Sequence, residues 1–72
     1  MTAHGPVLPL WLCEGCDRPW PCATRRAELL HEYATSPVAL AGYLGSHLAA
    51  AMQDMSWAPA DTVHRRFLGW LP

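Results

Sequence analysis

Between Trp11 and Cys22 the chain reads WLCEGCDRPWPC, and every cysteine of the protein lies in those residues. Cys13 and Cys16 form C-x-x-C around Gly15, and Cys22 follows after five more residues, beside Pro19, Trp20 and Pro21. Zinc takes four thiolate or imidazole ligands in a tetrahedron, and a two-residue spacer lets both sulfurs of a tight turn converge on one ion. Gly15 suits that turn, where backbone often needs a positive φ. Cys22 stands where a helix is expected to open, so amide groups at the helix start offset part of a thiolate's charge. Arg18, Arg25 and Arg26 are close in sequence to offset the rest.

Three sulfurs leave one corner of the tetrahedron open, and four histidines compete for it. His31 is carried about 13 Å from Cys22 along a helix starting there, at 1.5 Å per residue. His47 falls on the apolar side of a later helix, where a hydrogen-bonded core histidine is the commoner arrangement. His64 adjoins two arginines and is expected at the surface. His4 lies nine residues before Cys13 on a proline-turned arm able to return to the loop. The expected metal site is therefore His4, Cys13, Cys16 and Cys22, with zinc as the ion. His31, Asp17 and Glu14 are the lesser candidates for the fourth ligand.

A chain of 72 residues is one small domain with little apolar surface to bury, so a metal, a disulfide or a partner is often recruited for stability. Three cysteines cannot all pair with one another, and no basic and apolar leader of the secretory kind is visible before them. A reducing cytosol is therefore the compartment expected, where clustered thiols point to metal or redox chemistry. The most apolar stretch, Val38 to Met52, is too short for a membrane span and holds Ser46 and His47. A formal charge of −1 gives no long-range field drawing the chain to nucleic acid or an anionic membrane.

The architecture expected is mostly α: a zinc knuckle of the form CxxC-x5-C packed on a small three-helix bundle. Residues 1–22 are the arm and knuckle and residues 23–72 the helices, within a single domain. The arm is apolar (Val7, Leu8, Leu10, Trp11, Leu12) and expected to lie against the body. The first helix runs from just after Cys22 to about Tyr33, with Ala27, Leu30, Tyr33 and Ala34 on one side. Arg25, Glu28 and Glu32 take the other side, where Arg25 and Glu28 can pair. The second helix opens at Ser36-Pro37, a suitable N-cap and first position. Its face is Leu40, Leu44, His47, Leu48, Ala51, Met52 and Met55, and close approach of a neighbour is expected at Gly42 and Gly45. The third spans Pro59 to Gly69, with Val63, Phe67 and Trp70 inward.

No glycine-rich phosphate loop, serine nucleophile motif or spaced carboxylate pair is present, and a metal with four protein ligands has no open position for water. The chain is thus expected to be no enzyme but a structural-zinc module that binds another protein or regulates. A nucleic-acid-binding zinc finger using Arg18, Arg25, Arg26, Arg65 and Arg66 is the alternative. Thiol–disulfide catalysis at Cys13 and Cys16 is a third reading, disfavoured because Pro19 and Pro21 follow the motif where a redox fold would open a helix. Trp11 and Trp20 bracket the knuckle and are expected to shield the metal from water.

W-x-C-x-x-C-x-x-P-W-P-C, the Arg25-Arg26 helix start and the closing Arg66-Phe67-Leu68-Gly69-Trp70 together resemble a group of short actinobacterial proteins of unknown function. The resemblance spans most of the chain and implies a zinc knuckle. An upstream histidine is frequent in that group and corresponds to His4 here. Some of its members carry the label flavin reductase, yet this chain has no dinucleotide fingerprint and too little length for a flavin barrel.

Overall fold

Proline sets the course of the first part of the chain. The residue before a proline is pushed out of helical geometry, and four prolines between positions 6 and 21 leave no room for a helix. The computed structural model, which describes residues 3–72, instead folds this part into two tight hairpins. Strand β1 (Pro6–Val7) pairs antiparallel with β2 (Leu12–Cys13), Pro6 opposite Cys13 and Val7 opposite Leu12. On its other edge Leu12 bridges to Pro19. Backbone bonds from Trp20 N to Trp11 O (2.8 Å) and from Cys13 N to Arg18 O (2.6 Å) close the second hairpin, with residues 14–17 at its tip. Both Leu8–Pro9 and Trp20–Pro21 are cis.

Three helices follow, so the fold is mostly helical with a minimal sheet: α1 (Ala23–Glu32), α2 (Pro37–Asp54) and α3 (Ala60–Leu68). Their limits fall where the sequence puts them. Cys22 caps α1, its sulfur accepting from Arg25 N at 3.4 Å. Pro37 occupies the first turn of α2, although the Ser36 side chain makes no capping bond. Pro59 and Gly69 bound α3, and Gly69 keeps right-handed backbone. No helix among the described residues is long and apolar enough to cross a membrane.

The molecule measures 35 × 24 × 15 Å. Its shortest dimension is little more than one helix with side chains, about 10–12 Å across, so the core is thin. Leu40, Leu44, Leu48, Ala51 and Met55 of the second helix and its end pack with Val63 and Phe67 of α3, and these two helices are the closely packed pair. The α1 helix joins at longer range, through Leu29, the Tyr33–Tyr43 ring pair (5.8 Å) and Arg25. The three-helix bundle expected from the pattern is thus a pair with an outlier.

Several inward assignments need correction. On α1 the buried residues are Arg25 and Leu29, while Ala27 and Leu30 are exposed. Arg25 is drawn in because Glu28 (3.3 Å), Glu32 (3.1 Å) and the Tyr43 hydroxyl (3.5 Å) surround its guanidinium. Burial lowers the affinity of that guanidinium for its proton, but these three partners more than compensate and hold it above the ordinary arginine value. Met52 is exposed, and Trp70 is half-buried under Arg26 (5.5 Å). A side chain at Gly42 or Gly45 would meet nothing within 4 Å, so no neighbour approaches either. Val7, Leu8 and Leu10 of the arm stand about half exposed at the tip of the first hairpin, while Trp11 alone of that run is fully buried.

Candidate metal centre

The second hairpin turns its backbone amides toward its own sulfurs. Gly15 and Cys16 amides hydrogen-bond Cys13 Sγ, the Arg18 amide bonds Cys16 Sγ, and the Arg25 amide reaches Cys22 Sγ. Asp17 supplies the turn: it holds φ +59°, the left-handed conformation that asparagine and aspartate tolerate best after glycine. The positive φ expected at Gly15 is therefore found two residues later. Gly15 is needed for space instead, since a Cβ there would stand 2.7 Å from Ala3 O and 3.0 Å from His4 Nδ1.

Through that gap His4 enters. Its carbonyl accepts from Trp20 Nε1 (2.9 Å) and the adjacent Gly5 carbonyl from Glu14 N (2.9 Å), so the arm is tied at His4 itself and at the next residue. His4 Nδ1 lies 3.1 Å from Cys13 Sγ and 3.5 Å from Cys22 Sγ. One ligand atom from each of His4, Cys13, Cys16 and Cys22 lies within 4.8 Å of all the others. A tetrahedral ion with bonds of about 2.3 Å to sulfur and 2.0–2.1 Å to nitrogen holds N and S about 3.6 Å apart. The four residues are therefore close enough to bind a metal ion, with donors that suit one.

The remaining candidates lie elsewhere. His31 is exposed in the last turn of α1, and His64 is exposed on α3. His47 is half-buried and donates from Nδ1 to Tyr43 O (2.7 Å), its ring packed among Tyr43, Trp20 and Trp11. Glu14 and Asp17 occupy the exposed hairpin tip and belong to no cluster of metal-ligating groups found among the described residues.

Electrostatics show the strain of collecting three sulfurs. Burial pushes the Cys13 thiol up, but bonds from the His4 ring and from the amides of Gly15 and Cys16 outweigh it and bring it down to about 7. Cys16 goes the other way. Its Arg18 amide favours the thiolate, yet burial and the adjoining sulfurs of Cys13 and Cys22 leave it above the ordinary thiol value.

What sequence reasoning missed is how the loop is fastened to the helices. Arg66 of α3 donates from Nε to Trp20 O (2.8 Å) and from its terminal nitrogens to the carbonyls of Leu10 and Trp11. Arg26 of α1 donates to Pro21 O (2.9 Å) and to Arg66 O (3.5 Å). Between these ties Trp11, Trp20 and Phe67 pack with ring centroids 5.5–6.0 Å apart, and Trp11 Nε1 donates to Asp54 at 2.8 Å. The RFLGW ending was the available signal, since an arginine beside a buried phenylalanine on the inner side of an amphipathic helix needs acceptors. Arg25 and Arg26 do not spend their guanidinium groups on the sulfurs.

No protein-family model, curated protein or solved structure matches the chain.

Proposed function

We propose that this chain is a small structural-zinc protein that acts by binding another protein. The observation carrying the metal is the mutual approach of His4 Nδ1 and the three sulfurs to within 4.8 Å. Thiolate and imidazole donors at that separation favour a tetrahedral, borderline-soft ion over magnesium or calcium, which take oxygen ligands. His4, Cys13, Cys16 and Cys22 would hold it. The ion would supply charge neutralisation and a covalent clamp between the arm and the start of α1. Its binding energy is then largely folding energy.

Binding as the mode of action rests on what the surface offers. Trp57 is 72% exposed, and Val7, Leu8 and Leu10 form an apolar tip on the first hairpin. Exposed tryptophan is a frequent anchor of protein interfaces. The arginines argue against the nucleic-acid alternative. Arg25, Arg26 and Arg66 bond within the fold and Arg65 faces Asp61 at 3.6 Å, which leaves Arg18 as the remaining arginine of the five named.

Elemental analysis of the purified full chain tests the metal. One zinc per chain, lost on substitution of His4 or Cys22 but kept in His31→Ala, is the expected result. A chain that folds without metal and takes none up would overturn it. For the mode of action, a partner captured by the wild-type chain should be lost with Trp57→Ala or Leu8→Ser at unchanged zinc content.

A further inference from the structure

The four ligands are not equally guarded. Cys13 and Cys22 retain only 1% and 4% of their surface, and His4 is half-buried. Cys16 is exposed, at the tip of the second hairpin between the exposed Glu14, Gly15, Asp17 and Arg18. A reagent arriving from solvent meets one sulfur first. Behind it, Cys13 Sγ belongs to the same turn, which Asp17 N closes onto Cys13 O at 2.9 Å. Cys22 is fastened separately, as the cap of α1.

We infer that the site is a peroxide-sensitive switch in which Cys16 is the point of attack and Cys13 the resolving thiol; this rests on the zinc reading above. With zinc bound, Cys16 would be held as a thiolate whatever its value in the empty site, and it is the exposed one of the three sulfurs. It attacks the O–O bond of a hydroperoxide, taking one oxygen as sulfenic acid and releasing the other as water or alcohol once protonated. The Cys13 thiolate then attacks the Cys16 sulfur. An S–S bond forms, and the S–O bond breaks to release a second water. Two electrons pass from the sulfurs to the peroxide, and two protons come from solvent. His4 and Cys22 are left as the ion's only protein ligands, too few to keep a tetrahedral zinc, which departs. With it goes the clamp between arm and α1.

The tip also biases the choice of oxidant. Glu14 and Asp17 flank Cys16 against the single guanidinium of Arg18, all of them exposed, so one net negative charge disfavours the approach of an anionic disulfide such as oxidised glutathione and leaves a small neutral hydroperoxide unaffected.

The test uses the zinc-loaded full chain, hydrogen peroxide and a colorimetric zinc chelator, followed by peptide mass mapping. Zinc should appear in step with a loss of about 2 Da and a Cys13–Cys16 cross-link, and a dithiol with added zinc should restore the starting state. Oxidised glutathione at the same concentration should release zinc more slowly than hydrogen peroxide, and the gap should narrow as salt is added. Cys16→Asp keeps an anionic ligand and should slow peroxide release by about tenfold or more. Should that variant take up no zinc, the order of maleimide labelling in the wild-type chain decides, and Cys16 must react first. Labelling of Cys13 or Cys22 first, faster release by oxidised glutathione, or a full zinc complement retained with reduced sulfurs overturns the switch and leaves the zinc site standing. A chain that never binds zinc overturns both.

Discussion

In α2 and α3 the buried side chains are Leu40, Leu44, Leu48, Ala51, Val63 and Phe67, a run of ordinary apolar groups meeting at helical spacing. In residues 3–22 they are Trp11, Cys13, Trp20, Pro21 and Cys22, and the strands that carry them are two residues long. Two strands of that length are marginal by themselves. The helices are stabilised by area removed from water, whereas the loop depends on links: His4 among the sulfurs, Arg66 and Arg26 on its carbonyls, Trp11 on Asp54. Links at named points fail one at a time, and area does not.

Metal removal should separate the two regions most. Apparent binding energies of structural zinc sites are about 10–16 kcal/mol near neutral pH, and here the clamp acts on residues 4–22, away from the area that α2 and α3 bury against each other. A strong chelator should abolish the near-ultraviolet dichroism of Trp11 and Trp20 while α2 keeps helical far-ultraviolet signal. Equal loss of both signals would mean that the helices depend on the ion as fully as the loop does.

Phe67→Ala should come next, because that ring touches both tryptophans and is fully buried. Truncating a buried phenylalanine costs about 3–5 kcal/mol. Unlike chelation it removes area shared by both regions. Denaturant melts followed by helical dichroism and by tryptophan fluorescence should therefore fall together.

Arg66→Met keeps much of the side chain's bulk and removes its donors. Hydrogen bonds to a charged group contribute about 1.5–3 kcal/mol each, so the loop carbonyls of Trp11 and Trp20 should lose that order of support. Hydrogen exchange should accelerate at the Trp20 amide, which bonds Trp11 O, and stay unchanged in the middle of α2. Loss of protection throughout α2 would show that Arg66 supports the whole fold instead of the junction.

These differences track what was legible in the sequence. Cys13, Cys16 and Cys22 are local, and a thiol cluster at that spacing has few uses, so the site could be read directly. His4 could be reached by elimination, since a helix carries His31 away and packs His47. The limits of α2 and α3 follow from proline, whose effects are local too. On α1 the apolar pattern puts Ala27, Leu30 and Ala34 inward and Arg25 outward, and the structure reverses this with Leu29 and Arg25 buried. The pattern counts apolar groups and carries no sign that Glu28, Glu32 and the Tyr43 hydroxyl gather around Arg25. The two-residue strands are too short to show alternation. Arg66 meets its acceptors 46 and 55 residues away, and no spacing rule reaches that far.

Glycine offers the finest version of the same contrast, with opposite signs in the two regions. At Gly15 a methyl group would run into Ala3 O at 2.7 Å and the His4 ring, whose Nδ1 faces the sulfurs. Gly15→Ala should lower zinc affinity, by about tenfold for each 1.4 kcal/mol of displacement, as read by competition with a chelator. At Gly42 the same methyl group meets nothing within 4 Å, and the backbone is already helical. Alanine is favoured over glycine there by up to about 1 kcal/mol, so Gly42→Ala should raise the denaturation midpoint and leave zinc affinity unchanged. If Gly42→Ala destabilised the chain instead, its open face would have to be covered in solution by something that a single copy does not contain. If Gly15→Ala kept full affinity, His4 would have another way into the site, and the arm would be less tightly prescribed than the hydrogen bonds at its His4 and Gly5 carbonyls require.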